Sequence, residues 1–219
     1  MTALEQRELR STWNFMADIT NPKIDVSYSL EDEPIRNLLC VIHRRGHQIG
    51  LHPSYETYKD GYQLTKEKFM LQNTCKELGI TQPINSSRQH YLRFKAPDTW
   101  NHYVQAGLSF DSTLGHAPTV GFRAGICFDY PVFDIEKKQS LPLIESPLII
   151  MDVTLFCPTC MDLPIDSQAI LDKVKEIADI CKKHKGQFNI LFHDNYLSEE
   201  KFFTFFESAI DQSLLSPRA

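Results

Sequence analysis

The chain has 219 residues, 42% of them hydrophobic and 11% aromatic, which is enough for one well-filled core and small for two domains. Its 23 Lys and Arg stand against 28 Asp and Glu, a formal charge of −5. With no long basic block, that balance argues against general binding of nucleic acid or an anionic membrane. Nine Gly and 12 Pro, not clustered, argue against a disordered or fibrous chain, so a single globular domain over 1–219 is expected.

The polar start, Met1 to Arg10, has no apolar stretch of signal-peptide type, and the longest apolar runs, such as Pro147 to Met151, are far too short to span a bilayer. A cytoplasmic protein is expected. Its six cysteines are Cys40, Cys75, Cys127, Cys157, Cys160 and Cys181, most of them expected to be reduced core residues in that compartment. Cys157-Pro-Thr-Cys160 is a C-x-x-C pair. It reads first as a turn holding two unlinked thiols, with a redox or metal role as the alternative, because no second pair or spaced histidines complete a zinc site.

In chain order, residues 3–10 look like the end of a helix and Ser11 to Ala17 like a buried strand. Glu31 to Arg45 carries Ile35, Leu38, Leu39 and Ile42 at helical spacing and stops at Gly46; His47 to His52 follows as a strand. Thr65 to Leu78 repeats the helix pattern up to Gly79. Arg88 to Phe94 alternates like a strand, and Asp98 is the expected cap of a short helix that runs to Gly107. Residues 108–156 are strand-rich, with Pro131 to Asp134 and Leu148 to Asp152 the clearest segments. Asp166 or Ser167 is expected to cap a helix over Ala169 to Lys183, whose terminal cations suit the helix dipole. Phe188 to Phe192 reads as a buried strand, and Ser198 opens the last helix. This alternation favours α/β architecture.

In a parallel α/β fold, chemistry gathers at the carboxyl ends of the strands. His52, His90, Arg93, Asp152 and His193-Asp194 are all expected near such ends. Singly, a strand-end His is an ordinary satisfied residue and a following Asp an ordinary cap; five positions on one rim point to a site. Imidazoles with carboxylates can bind a divalent ion that activates water, and a further His can pass a proton to a leaving group. An arginine nearby can orient a carboxylate. The sequence has no Gly-x-Ser-x-Gly elbow, Walker loop or Gly-x-Gly-x-x-Gly, so water-mediated hydrolysis leads.

Several segments resemble the polysaccharide deacetylases of the NodB-homology group (carbohydrate esterase family 4). Gly46-His-Gln-Ile-Gly-Leu-His52 is similar to the group's second motif, Leu92-Arg-Phe-Lys-Ala-Pro97 to its arginine-proline motif, and Ile190-Leu-Phe-His-Asp194 to its closing Leu-x-His motif. The stretches Arg88 to Arg93, Asp111 to Gly115 and Gly121 to Gly125 look like an uncharacterised bacterial branch linked to surface-polysaccharide gene clusters. The resemblance, over about residues 11–195, implies an α/β, distorted (β/α) barrel of about seven strands and metal-dependent removal of an acetyl group from a sugar. It implies a metal-binding role for His52, a catalytic acid at His193, and an arginine at Arg93 that orients a catalytic carboxylate.

Two departures matter. The group's second metal-binding His would fall at Glu56, so Glu56 or the nearby His90 is the replacement, with His90 preferred. The opening Thr-Phe-Asp-Asp type motif is absent, so the chain is expected to begin partway through the first helix, lacking the first strand and its catalytic Asp. Asp18 or Asp152 are candidates to compensate, and a loop or cap role suits Asp18 better.

The candidates are therefore His193, Arg93 and Asp152 for catalysis, Arg123, Tyr55 and Trp100 for substrate, and His52 and His90 for a divalent ion, zinc first. Tyr58 and Phe122 also lie close to the motifs, where core packing is the plainer role of each aromatic. The expected partner is a carbohydrate, with no nucleic acid or membrane. A second copy of the chain is a further expected partner, since a missing strand exposes backbone groups. The alternative function is a non-catalytic carbohydrate-binding barrel.

Overall fold

The computed structural model describes residues 1–215. Their contacts divide into two compact units, one of Met1–Thr113 with Tyr130–Glu145, the other of Leu114–Asp129 with Ser146 onward. None of the described helices is long and apolar enough to cross a membrane.

The first unit runs α1 (Thr2–Glu5), β1 (Thr12–Phe15), α2 (Glu33–Arg44), β2 (Gln48–Leu51), α3 (Gly61–Glu77), β3 (Ser86–Ser87), α4 (Asp98–Gln105), β4 (Phe110–Asp111), β5 (Tyr130–Asp134) and β6 (Gln139–Glu145). Its sheet has the order β1-β2-β3-β4-β6-β5, parallel throughout except for the β5–β6 hairpin. This is the α/β class with a mostly parallel sheet. The register places Phe15, Leu51, Ser87, Asp111, Glu145 and Tyr130 in one row across the sheet. The carboxyl ends of β1 to β4 and β6 therefore lie level, and the residue after each strand enters the space beyond that edge.

Apolar spacing sets the packing. In α2, Leu39 and Ile42 are fully buried in one core with Ile49 and Leu51 of β2 and Leu64 and Leu71 of α3; each is worth about 1.5–3 kcal/mol of apolar burial. Gly46, at φ +75°, ends α2 in the left-handed conformation that glycine adopts without strain. Helix α3 begins earlier than its apolar period suggests, because the Asp60 carboxylate accepts the N–H groups of Tyr62 and Gln63 at 3.1 and 3.0 Å.

Two expectations are corrected here. Arg88 to Phe94 is not a strand: pairing stops at Ser87, and the chain turns with Tyr91 and Leu92 at φ 58° and 51°, incompatible with extended backbone. Asp98 is the first residue of α4 rather than its cap, and its carboxylate pairs with Lys95 at 2.7 Å.

The second unit holds β7 (Ile150–Met151), α5 (Asp152–Phe156), α6 (Gln168–Lys183), β8 (Ile190–Leu191), α7 (Asp194–Leu197) and α8 (Glu200–Leu215). Strands β7 and β8 are parallel, with Ile150 beside Ile190 and Met151 beside Leu191. Their core joins Ile149, Ile150 and Leu155 to Ile170, Val174 and Ile177 of α6 and to Phe205 and Ala209 of α8. The strand expected to run to Asp152 stops at Met151, and Asp152 opens α5. Ser167 sits at the start of α6, but its hydroxyl donates to the Pro164 carbonyl at 2.7 Å instead of capping the helix. The Ser198 hydroxyl likewise donates backwards, to the Asn195 carbonyl at 2.7 Å, and α8 begins at Glu200.

Candidate functional site

In the first unit the chemistry-bearing residues gather just past the level strand ends. His52 follows β2, and its backbone N–H donates to the Phe15 carbonyl at 2.8 Å. Its ring Nδ1 lies 2.6 Å from the Arg88 carbonyl. A carbonyl only accepts, so Nδ1 carries the hydrogen, and in the neutral ring Nε2 keeps the lone pair. His90 is organised alike: its backbone N–H donates to the Pro53 carbonyl at 3.2 Å and its Nδ1 donates to Asp25 Oδ1 at 2.9 Å. The two rings meet edge to face with centroids 5.0 Å apart.

Asp25 is the residue that sequence reasoning missed. It lies in the loop between β1 and α2, its side chain fully buried, and it accepts from the backbone N–H groups of Thr20, Asn21 and Tyr55 at 2.9, 2.7 and 2.9 Å as well as from His90. Burial alone would raise its pKa. The hydrogen bonds, that from Asn21 foremost, outweigh burial and hold the carboxyl below its ordinary value. A buried carboxylate behind an imidazole fixes both ring orientation and tautomer.

Arg93 stands between two tyrosines, its guanidinium carbon 3.8 Å from the Tyr55 ring centre and 4.0 Å from that of Tyr58. The carboxylate it meets is Glu56, at 3.3 Å. Glu56 also pairs with Lys59 at 2.7 Å, so this carboxylate is engaged by two cations, whereas His90 lies against His52. Tyr55 also meets the rings of His90 and Tyr91 edge to face. Tyr91 is 66% exposed, presented to solvent by its left-handed backbone. Asp18 is held by Lys66 at 2.6 Å and by Gln63, a loop carboxylate at the foot of α3.

The segment after His52 is tied from below. Buried Glu67 of α3 accepts from the backbone N–H of Ser54 at 2.9 Å and from the Ser54 hydroxyl, while the buried Gln89 amide donates to the Ser54 carbonyl at 2.9 Å. Arg88, whose carbonyl holds His52, donates from Nε to the Ser112 carbonyl at 3.0 Å. Burial lowers its pKa to about 10, with Asp111 and Glu145 opposing the shift, so it stays a cation at neutral pH.

Trp100 lies in the first unit and Arg123 in the second. Trp100 packs on Phe94 at 4.7 Å and donates its indole N–H to buried Glu145 at 3.3 Å. Arg123 donates to the Gly115 carbonyl at 3.0 Å.

The second unit carries a carboxylate–imidazole pair. Asp152 opens α5 immediately after β7, and His193 follows β8, so the parallel pairing of β7 with β8 sets the two side by side. Asp152 is fully buried. Its Oδ1 accepts from His193 Nδ1 and from the Val153 N–H, each at 2.6 Å, and its Oδ2 accepts the His193 backbone N–H. The His193 side chain is 37% exposed. Nδ1 is thus committed to the buried carboxylate, which leaves Nε2 as the nitrogen for proton exchange.

The expected divalent ion can be tested against these donors. His52 and His90 each commit Nδ1 to an oxygen, and an imidazole so held ligates a metal through its other nitrogen. A catalytic zinc takes three protein ligands, and among the described residues no group of three or more His, Cys, Asp or Glu is placed to hold a metal ion.

Comparison with known proteins bears on the fold. The chain is similar to the crystal structure of a candidate polysaccharide deacetylase from Mycobacterium smegmatis, with a TM-score of 0.67 and 14% identity over 99% of this chain and 70% of that one. A candidate polysaccharide deacetylase involved in O-antigen biosynthesis from Bordetella bronchiseptica aligns over 97% of this chain and 72% of that one at 19% identity, with a TM-score of 0.47, too loose to bear on the fold. No protein-family model and no curated protein matches the sequence. At such identities the likeness to the mycobacterial structure is one of fold.

Proposed function

We propose that the chain is a carbohydrate deacetylase-like hydrolase, releasing acetate from an N- or O-acetylated sugar. The observation that carries this reading is the Asp152–His193 pair, whose geometry suits a general acid. Water adds to the acetyl carbonyl carbon and loses a proton to solvent, which also restores the His193 proton between turnovers. As the carbon–nitrogen or carbon–oxygen bond breaks, His193 Nε2 gives a proton to the departing amine or alcohol. Buried Asp152, on Nδ1, balances the positive charge of the protonated ring and keeps its orientation. The products are acetate and the free amino or hydroxyl sugar. The shared fold and the motif resemblance support the substrate class, and the distorted-barrel expectation goes with that reading.

In the first unit, Tyr55 and the exposed Tyr91 present ring faces and edges of the kind that sugars stack on. The ion that the resemblance implies is left out of this chemistry, since His52 and His90 alone do not complete a site for it.

The test is acetate release from N-acetylated and O-acetylated oligosaccharides by the full chain, compared with His193→Ala. Release that falls in the variant supports the reading. Glycan binding without any acetate release would instead establish a non-catalytic carbohydrate-binding protein.

A further inference from the structure

We propose that Cys157 and Cys160 are a redox-modification site, forming a reversible intrachain disulfide by exchange with a small-molecule disulfide of the glutathione class. The pair occupies the two ends of a tight turn: the Cys160 N–H donates to the Cys157 carbonyl at 2.9 Å. A turn closed in this way brings its end Cα atoms within about 7 Å, against the roughly 4.4–6.8 Å that a disulfide requires. Pro158, at the second position of the turn, presets its backbone. The two thiols lie near enough for each to influence the ionisation of the other.

The two sulfurs differ in character. The Thr159 hydroxyl, 3.2 Å from Cys157 Sγ, together with the Thr159 N–H, draws the Cys157 thiol below its ordinary pKa, whereas burial and the neighbouring sulfur push Cys160 up. Both side chains are partly exposed, while Cys75, Cys127 and Cys181 are buried. Cys157 is the attacking thiolate and Cys160 the resolving one. The Cys157 thiolate attacks one sulfur of the small disulfide, forming a mixed disulfide and expelling one thiolate, which takes up a proton. The Cys160 thiolate then attacks Cys157 Sγ and expels the second. Two protein thiols are oxidised to one disulfide, and one small disulfide is reduced to two thiols.

The turn is tied back onto α5. The Cys157 N–H donates to the Val153 carbonyl at 2.9 Å, Met161 to Thr154 at 3.1 Å and Leu163 to Leu155 at 2.9 Å. Because α5 opens with Asp152, oxidation changes the covalent structure at the far end of the helix that holds His193.

The test uses the full chain equilibrated across ratios of oxidised to reduced glutathione, acid-quenched, alkylated and digested with trypsin. The tryptic peptide 139–173 holds these two cysteines and no other. The expected result is a peptide that loses both alkylation sites together, becomes lighter by its two thiol hydrogens, and returns on treatment with dithiothreitol. Cys160→Ser should stop at the mixed disulfide on Cys157. Two thiols that stay alkylatable at ratios that oxidise a free dithiol, or glutathione adding to each cysteine without an internal bond, would overturn the proposal.

Discussion

Glu67 gives the sharpest quantitative prediction. Its carboxyl is fully buried in α3, under the segment that follows His52. Burial pushes its pKa from 4.5 to about 7, against hydrogen bonds from Ser54 and Gln63 that favour the carboxylate. The folded chain therefore holds this proton more tightly than the unfolded chain. Below pH 4.5 both states carry it; above, the unfolded state releases it first, and the stability that the proton contributes is lost as pH rises through 7. At about 1.4 kcal/mol per pH unit, the interval from 4.5 to about 7 amounts to about 3 kcal/mol, a large part of a typical domain's 5–15 kcal/mol. Glu67→Gln removes the titration. Both tryptophans, Trp13 and Trp100, lie in the first unit, so urea unfolding followed by their fluorescence from pH 4 to 8 reads that unit. Subtracting variant from wild type cancels the other titrating groups. The wild type should lose about 3 kcal/mol relative to the variant across the range. A difference that stays flat with pH would refute the reasoning.

Four further outcomes are expected. Asp152→Asn should lower acetate release about 10²–10⁴-fold with little change in KM, whereas a KM effect alone would place Asp152 in binding. Asp25→Ala strands three backbone N–H groups and the His90 ring, costing about 2–5 kcal/mol; nitrogen-15 spectra of the imidazoles should show His90 losing its single tautomer, and an unchanged His90 signal would count against that role. In Gly50→Ala the new Cβ falls 2.2 Å from Asn14 Oδ1, 2.9 Å from Ser86 Oγ and 3.0 Å from Thr12 Cγ2, so three side chains must shift at once, at about 1–3 kcal/mol, read as a lowered Tm; an unchanged Tm would mean the β1–β2–β3 edge yields freely. Calorimetric titration with Zn²⁺ should give binding weaker than a three-ligand site provides and lost in His52→Ala; affinity retained in that variant would place the ion elsewhere.

The legible parts of the sequence were those where a long period or a chemical stop operates. Helices α2 and α6 follow from apolar spacing and from Gly46 and Gly186. The start of α3 was hidden because its first turn is polar or exposed, Tyr62 being 84% exposed, and only the Asp60 cap marks it. Strands β3, β4, β7 and β8 have two paired residues each, too few for a period of two to register. The alternation of Arg88 to Phe94 misled because sequence pattern does not reveal the left-handed backbone at Tyr91 and Leu92. His52, Asp152 and His193 were legible as residues at or just past predicted strand ends. Asp25 was not: one of four acids between β1 and α2, with Asp18, Glu31 and Asp32, it differs from Asp18 only in where the folded loop takes it.

The bonds that fix His52 and His90 reach acceptors 36 and 65 positions away in sequence. Contacts of such separation carry a heavy loop-closure cost, so they form late in folding and are vulnerable to partial opening. The imidazole geometry is therefore a collective property of the assembled sheet, and no helix or strand possesses it alone. On warming, the rings can lose their fixed tautomers while far-ultraviolet dichroism still reports intact helices, which makes the ring N–H protons an early gauge of loosening in this unit.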